Sequence, residues 1–173
     1  ARRRITHWSA LPETFLELRR LGTRKVREAT TSSLEEVIIG GAPGPWTLKA
    51  WLGEVFGSIV SEAYGSTETG LIATMPIDLQ TVRPGSCGRP IRGVSVDVRD
   101  AEGRSLPAGA VGEIWARTPR SLECDLPSSP ERTRRDDDGY IATGDAGRVD
   151  EDGFIYLLGR SMTQPAADMR HAG

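Results

Sequence analysis

Cysteine and histidine are scarce: the chain has two of each, Cys87 and Cys124, His7 and His171. Two distant cysteines build neither a disulfide framework nor a metal cluster. The default setting they indicate is reduced and cytoplasmic. The histidines stand near opposite ends, which argues against a Ser-His-Asp or Cys-His catalytic group. Apolar runs fall short of the roughly 20 residues that span a bilayer. The arginine-rich start lacks the apolar stretch of a signal peptide. No charge of one sign dominates: 22 Lys and Arg face 24 Asp and Glu, a formal net charge of −2. That balance supplies no field for gripping nucleic acid or an anionic membrane. The one basic cluster, Arg2-Arg3-Arg4, reads as a solvated chain end. The 173 residues suffice for one domain or two small ones.

What is present has two rhythms. Leu11, Phe15, Leu18 and Leu21 recur at helical spacing, with Pro12 suited to a first turn, so residues 11–29 read as helix with a possible break at Gly22. Val37-Ile38-Ile39, bounded by Gly40-Gly41, reads as a buried strand. Pro45 opens a second helix with Leu48, Leu52, Val55 and Phe56 inward and Gly57 closing it. A strand around 58–63 completes a βαβ unit, whose ligand edge is the carboxyl end of the sheet. After about residue 80 the spacing becomes alternating. Val94, Val96 and Val98 mark a half-buried strand, followed by Val111 to Ala116, Tyr140 to Thr143 and Phe154 to Leu158. Short strands with frequent Gly and Pro turns suggest a small β-barrel or a folded sheet. The polar stretch 119–138 reads as a surface loop, with one helical turn begun at Ser128-Ser129-Pro130-Glu131.

Four short segments could carry chemistry. Tyr64-Gly65-Ser66-Thr67-Glu68-Thr69-Gly70 follows a strand and offers an aromatic face, hydroxyls and a carboxylate. A purine can stack on Tyr64, Thr67 can donate to a phosphate, and Glu68 is a hard oxygen ligand suited to Mg²⁺. A polar turn with a capping carboxylate explains the same residues about as well. Thr143-Gly144-Asp145, again read at a strand end, places a carboxylate that could accept from a ribose diol. An ordinary Asp-containing turn is the plainer reading. Arg160, at the end of the last strand, could reach a phosphate or sugar, though a lone Arg is usually surface. Gly40-Gly41-Ala42-Pro43 is a strand-to-helix turn that a flat ligand could approach, or simply a tight connection.

Their order carries more than any one of them. Taken with Gly85-Ser86-Cys87-Gly88-Arg89-Pro90, Val111-Gly112-Glu113-Ile114 and Asp152-Gly153-Phe154-Ile155-Tyr156-Leu157-Leu158-Gly159-Arg160, these segments resemble the acyl-adenylate-forming superfamily from about Ile5 to Arg160. That group includes acyl-CoA synthetases, luciferases and peptide-synthetase adenylation domains. The resemblance implies ATP, Mg²⁺ and coenzyme A as cofactors or co-substrates and a fatty or aromatic carboxylic acid as partner. By motif, Thr67 and Glu68 are the catalytic candidates, with Glu68 on the metal. Gly41, Ala42, Pro43, Tyr64, Gly65, Ser66, Thr67, Asp145 and Arg160 would bind the nucleotide. Gly65, Gly70 and Leu71 would border the acyl pocket. Gly85, Gly88, Gly112 and Glu113 are expected to be turn residues. Ser66, where peptide-synthetase domains usually carry Pro, favours a CoA ligase.

The expected fold is α/β: a βαβ segment of a large adenylating domain over 1–80, a small distorted β-barrel-like segment over 81–160, and a tail, 161–173, unlike the family. Thr30-Thr31-Ser32-Ser33 has hydroxyls but neither glycine nor a following lysine, and reads as a helix-to-strand loop, not a phosphate loop. Met162 stands where the family's hinge has Asp or Lys, and no lysine follows Lys49. The expectation is therefore a fragment of an acyl-CoA synthetase, inactive alone. An acyl-AMP ligase or peptide-synthetase domain, a non-catalytic nucleotide-binding module and a degenerate remnant remain alternatives. A sheet lacking part of its strands should expose an edge and apolar surface, open to self-association.

Overall fold

The computed structural model describes residues 4–30, 33–121 and 133–161. The helical turn expected at 128–131 and the tail beyond Ser161 lie outside these residues. β1 (His7–Ala10) leads into α1 (Pro12–Arg20) and α2 (Thr23–Ala29), the two separated at Gly22, whose φ of 90° ends the first run. β2 (Glu36–Gly40), α3 (Trp46–Phe56) and β3 (Val60–Ser66) form the βαβ unit. β1, β2 and β3 are parallel, with Val37 opposite Val60 and Gly40 opposite Ala63. Beyond β3 every neighbouring pair is antiparallel: β4 (Gly70–Pro76), β5 (Ser86–Pro90), β6 (Ser95–Arg99), β7 (Gly112–Arg117), β8 (Ile141–Val149) and β9 (Ile155–Arg160).

All nine strands share one sheet in the order β1-β2-β3-β4-β5-β9-β8-β7-β6. The later strands take the folded-sheet form; β6 stays an edge and no barrel closes. β5 is the joint, paired to β4 through Thr74↔Arg89 and to β9 through Gly88↔Ile155. Two apolar cores flank it. Phe15, Val37, Ile39, Leu48, Leu52 and Val60 bury the helices against the parallel strands. The second core gathers Val98, Ile114, Ala116 and Ile155 from the later strands, but also Tyr64, Ile72 and Ala73 from within the first eighty residues.

Three expectations are corrected. Gly88 and Gly112 are not turn residues but lie in strands, and a Cβ on either would overlap backbone, at 1.9 Å from Thr74 O and 2.3 Å from Arg99 O. Glu113 is likewise in β7, buried, and ion-paired with Arg134. Thr143-Gly144-Asp145 lies inside β8 and not at its end. β1, β4 and β5 had no clear signal: β1 has four residues, β4 runs from Gly70 to Pro76, and β5 contains Gly88 and Pro90, a strand-poor composition.

Candidate active site

β3 outruns β2. Gly40↔Ala63 is the last pair, the chain then leaves β2 through Gly41 (φ 78°), and Tyr64 continues the longer strand alone on that side. Tyr64, the residue on which a purine could stack, is 8% exposed and largely covered. Its hydroxyl reaches across the sheet to β8, 2.8 Å from Asp145 Oδ2 and 3.2 Å from Thr143 Oγ1. Asp145 also accepts from Arg160 Nη1 at 3.0 Å. Residues 64, 145 and 160, far apart in sequence, thus form one contiguous polar group.

A bulge in β8 makes this possible. Between the pairs Glu113↔Ala146 and Trp115↔Ala142, three residues of β8 oppose the single Ile114. Gly144 takes φ 72° there. Thr143 Oγ1 donates to Ile114 O at 2.9 Å and accepts from Asp145 N at 3.2 Å, which locks the bulge. Sequence reading gave Asp145 a role but none to Thr143; hydroxyls two residues from a carboxylate are too common to signal it. Asp145 has two engaged oxygens, yet a carboxylate offers about four acceptor positions, so capacity remains for a ribose diol. Its side chain is 19% exposed.

The β3–β4 hairpin carries the rest of the motif. Thr69 is fully buried and its hydroxyl bonds Ser66 N (3.2 Å), Ser66 Oγ (3.1 Å) and Gly70 O (3.1 Å). Thr118, which the sequence did not single out, donates to Thr69 O at 2.6 Å. Gly65 is required sterically, since a Cβ would sit 2.1 Å from Gly70 O. This fixed turn presents Thr67 and Glu68 at its tip. Neither side chain has a hydrogen-bond or ion-pair partner among the described residues. No cluster of three or more His, Cys, Asp or Glu among those residues could hold a metal. A lone carboxylate nonetheless suits Mg²⁺, which keeps water and phosphate oxygens as its other ligands. Leu71, the acyl-pocket candidate beside Gly70, is partly exposed.

Burial, with a further push from the charge of Glu62, raises the Cys87 thiol from its ordinary 9.0 to about 12. Burial, with Asp145 close by, also pushes the Tyr64 phenol up from 10.0. Both groups are held neutral in the fold: the Cys87 contribution to stability is complete below pH 9 and is lost as pH rises towards 12, and that of Tyr64 begins to be lost only above pH 10. Melting temperature should fall progressively above pH 9, less steeply in Cys87→Ala. An identical slope in that variant would show that Cys87 does not govern the window.

A cavity of about 560 Å³ shares no residue with this group. It lies on the β1 side, lined by Trp8, Leu18, Leu21, Val26 and Phe56. β1 is one edge of the sheet and β6 the other.

The family model described as AMP-binding enzyme matches residues 1–124. The chain belongs to that family. It is 38% identical over 153 residues to a putative acyl-CoA ligase, YdaB, of Bacillus subtilis, covering 87% of this chain and 30% of that protein. The amide bond synthetase McbA of Marinactinospora thermotolerans superposes with a TM-score of 0.80 at 33% identity, over 91% of this chain and 32% of that one. The o-succinylbenzoate CoA synthetase MenE of Bacillus subtilis, solved in complex with AMP, gives 0.78 at 25% identity, over 92% and 32%. The chain spans about a quarter to a third of the length of the curated relatives it matches. No helix among the described residues is long and apolar enough to cross a membrane.

Proposed function

We propose that these residues form the adenosine-binding part of an ATP-dependent acyl-CoA synthetase, which joins a carboxylic acid to AMP and passes the acyl group to coenzyme A. The observation that carries this reading is the hydrogen-bonded group Tyr64–Asp145–Arg160. Asp145 takes the ribose hydroxyls, Arg160 neutralises it and faces the phosphate side, and Gly41, Ala42 and Pro43 border the adenine opposite the uncovered part of Tyr64. Thr67 donates to the α-phosphate. Glu68 holds Mg²⁺, which offsets the repulsion between attacking carboxylate and phosphate. Gly65, Gly70 and Leu71 border the acyl group, fatty or aromatic. Residues 1–80 and 81–160 act as two subdomains that share the site, in a cytoplasmic protein whose exposed β1 edge is available for self-association. The amide-forming relative favours a second reading, in which an amine and not a thiol takes the acyl group from the adenylate.

The 173-residue chain should bind AMP with a dissociation constant no tighter than about millimolar, because Tyr64 is largely covered and offers the base little contact. It should show no ATP–pyrophosphate exchange with a panel of acids, because its hydroxyl-rich stretch Thr30-Thr31-Ser32-Ser33 lacks the glycines and lysine that would cradle the β- and γ-phosphates. Asp145→Ala should weaken AMP at least tenfold in an NMR titration, on the order of 1.4 kcal/mol for a lost charged acceptor. Equal binding by that variant would remove Asp145 from the site.

A further inference from the structure

A second polar group lies behind the proposed adenine slot, and nothing in the catalytic reading uses it. Lys49, on α3, is 8% exposed, and its Nζ lies 2.7 Å from Glu62 Oε2 on β3. Gln80 Nε2 donates to the same Glu62 oxygen at 2.7 Å and to Ser86 O at 3.1 Å. Both contacts are acceptors, so the amide orientation is set, and Gln80 Oε1 is left as a buried acceptor without a partner. A desolvated Lys–Glu pair is a poor source of net stability compared with apolar residues of the same volume. Its directional bonds, however, fix the distance between the elements that carry it.

Those elements are the two walls of the slot. Glu62 precedes Tyr64 by two residues and points to the same face of β3. The Lys49 stem comes close to the end of the other wall: its Cε lies 3.7 Å from where a Cβ on Gly44 would stand, and Gly44 directly follows Pro43. The walls diverge immediately after Gly40↔Ala63, where the ladder between β2 and β3 ends. Lys49 is tied to one wall by an ion pair, and its stem occupies the space that a side chain on Gly44, next to the other wall, would approach.

We infer that Lys49 and Glu62 are positioning residues that set the width of the adenine slot, a role that rests on the nucleotide-site reading above. Removing both charges together avoids stranding either one in the interior. The variant Lys49→Met with Glu62→Gln should therefore keep a melting temperature near the parent's. It should lose base recognition while ribose and phosphate recognition at Asp145 and Arg160 persist. The experiment is an NMR titration of the 173-residue chain and the double variant with AMP and with CMP, alongside thermal melts. The expected result is AMP weakened about tenfold with CMP unchanged, so that the preference for AMP shrinks. Unchanged AMP binding in a folded variant would overturn the inference and leave the nucleotide site standing. Equal weakening of AMP and CMP, or a large loss of melting temperature, would reduce the pair to a general structural role. A parent chain that binds neither nucleotide would overturn the site reading and this inference with it. Lys49→Arg, which keeps the ion pair, should restore part of the AMP preference lost in Lys49→Met alone.

Discussion

Gly88→Ala should abolish cooperative folding or lower the melting temperature by roughly 10 °C or more. A methyl at this position would stand 1.9 Å from Thr74 O and 2.3 Å from Thr74 C. These are backbone atoms, held by the Thr74↔Arg89 pairing, so they cannot step aside as a side chain would. The residue also adopts φ 106°, where an L side chain is strained. Relief requires β5 to part from β4. Because β5 is the strand between β4 and β9, that separation detaches the two halves of the sheet. A cost of about 4 kcal/mol or more follows, at the upper end for point substitutions, and each kcal/mol is worth about 2–4 °C at this chain length. Gly103→Ala is the control: its φ is 81°, but a Cβ meets nothing within 4 Å, so only the backbone term of about 1–2 kcal/mol applies. Thermal melts followed by circular dichroism compare them. Equal shifts would mean that crowding at Gly88 is relieved cheaply.

Arg99→Ala should cost about 3 kcal/mol, hence a melting temperature lower by roughly 10 °C. The Arg99 side chain is 11% exposed and donates to Asp97 and Asp136, both at 2.7 Å. Its guanidinium lies 4.5 Å from the Trp115 ring centre and 5.1 Å from that of Tyr140. Arg117 stacks on the other aromatic partner, Tyr140, and Arg134 on Trp115, so cations and rings cluster where β6 and β7 meet the segment leading into β8. Truncation leaves two part-buried carboxylates unpaired and two rings uncovered. Burial tends to raise the Asp136 carboxyl, but hydrogen bonds from Arg99 and from the Tyr140 amide hold it below its ordinary value. Its contribution to stability is thus present above the usual carboxylate range and lost on acidification. In the variant that acid sensitivity should diminish. Arg104→Ala is the comparison: its side chain is 72% exposed, and its pairs with Asp100 and Glu102 are of the surface kind that contribute little. Lys at position 99 should recover only part of the loss, because an ammonium lacks the planar fork that meets two carboxylates and two rings at once. A melting temperature for Arg99→Ala within about 2 °C of the parent would contradict this.

The helices and the βαβ unit were legible because their signals are local. Leu11, Phe15 and Leu18 repeat at helical spacing, and Pro45 and Gly57 bracket α3. Strands β4 and β5 were not, because Gly70, Pro76, Gly88 and Pro90 are strand-poor residues, and Gly88, read as a turn residue, is in fact required by the close approach of the Thr74 backbone. The same limit applies at the site. Asp145 could be named by resemblance, but its placement inside β8 depends on a bulge opposite Ile114 that no spacing announces. Tyr64 reads, from its aromatic character, as a face on which a purine can stack. In the fold its hydroxyl, reaching Asp145 at 2.8 Å, is the more evident contribution. Lys49 and Glu62 had no sequence signal, since thirteen residues separate them and only the turn of chain through α3 brings them together.

The most direct measurement is chemical-shift mapping of AMP on the isotope-labelled 173-residue chain. AMP is expected to move the amides of Gly41 and Ala42, of Tyr64 to Glu68, of Thr143 to Asp145, and of Arg160. The amides of Trp8, Leu18 and Phe56, around the apolar cavity on the β1 side, should stay in place. Shifts confined to that cavity, or no shifts among residues 64, 145 and 160 at saturating AMP, would contradict the assignment of the Tyr64–Asp145–Arg160 group as a nucleotide site.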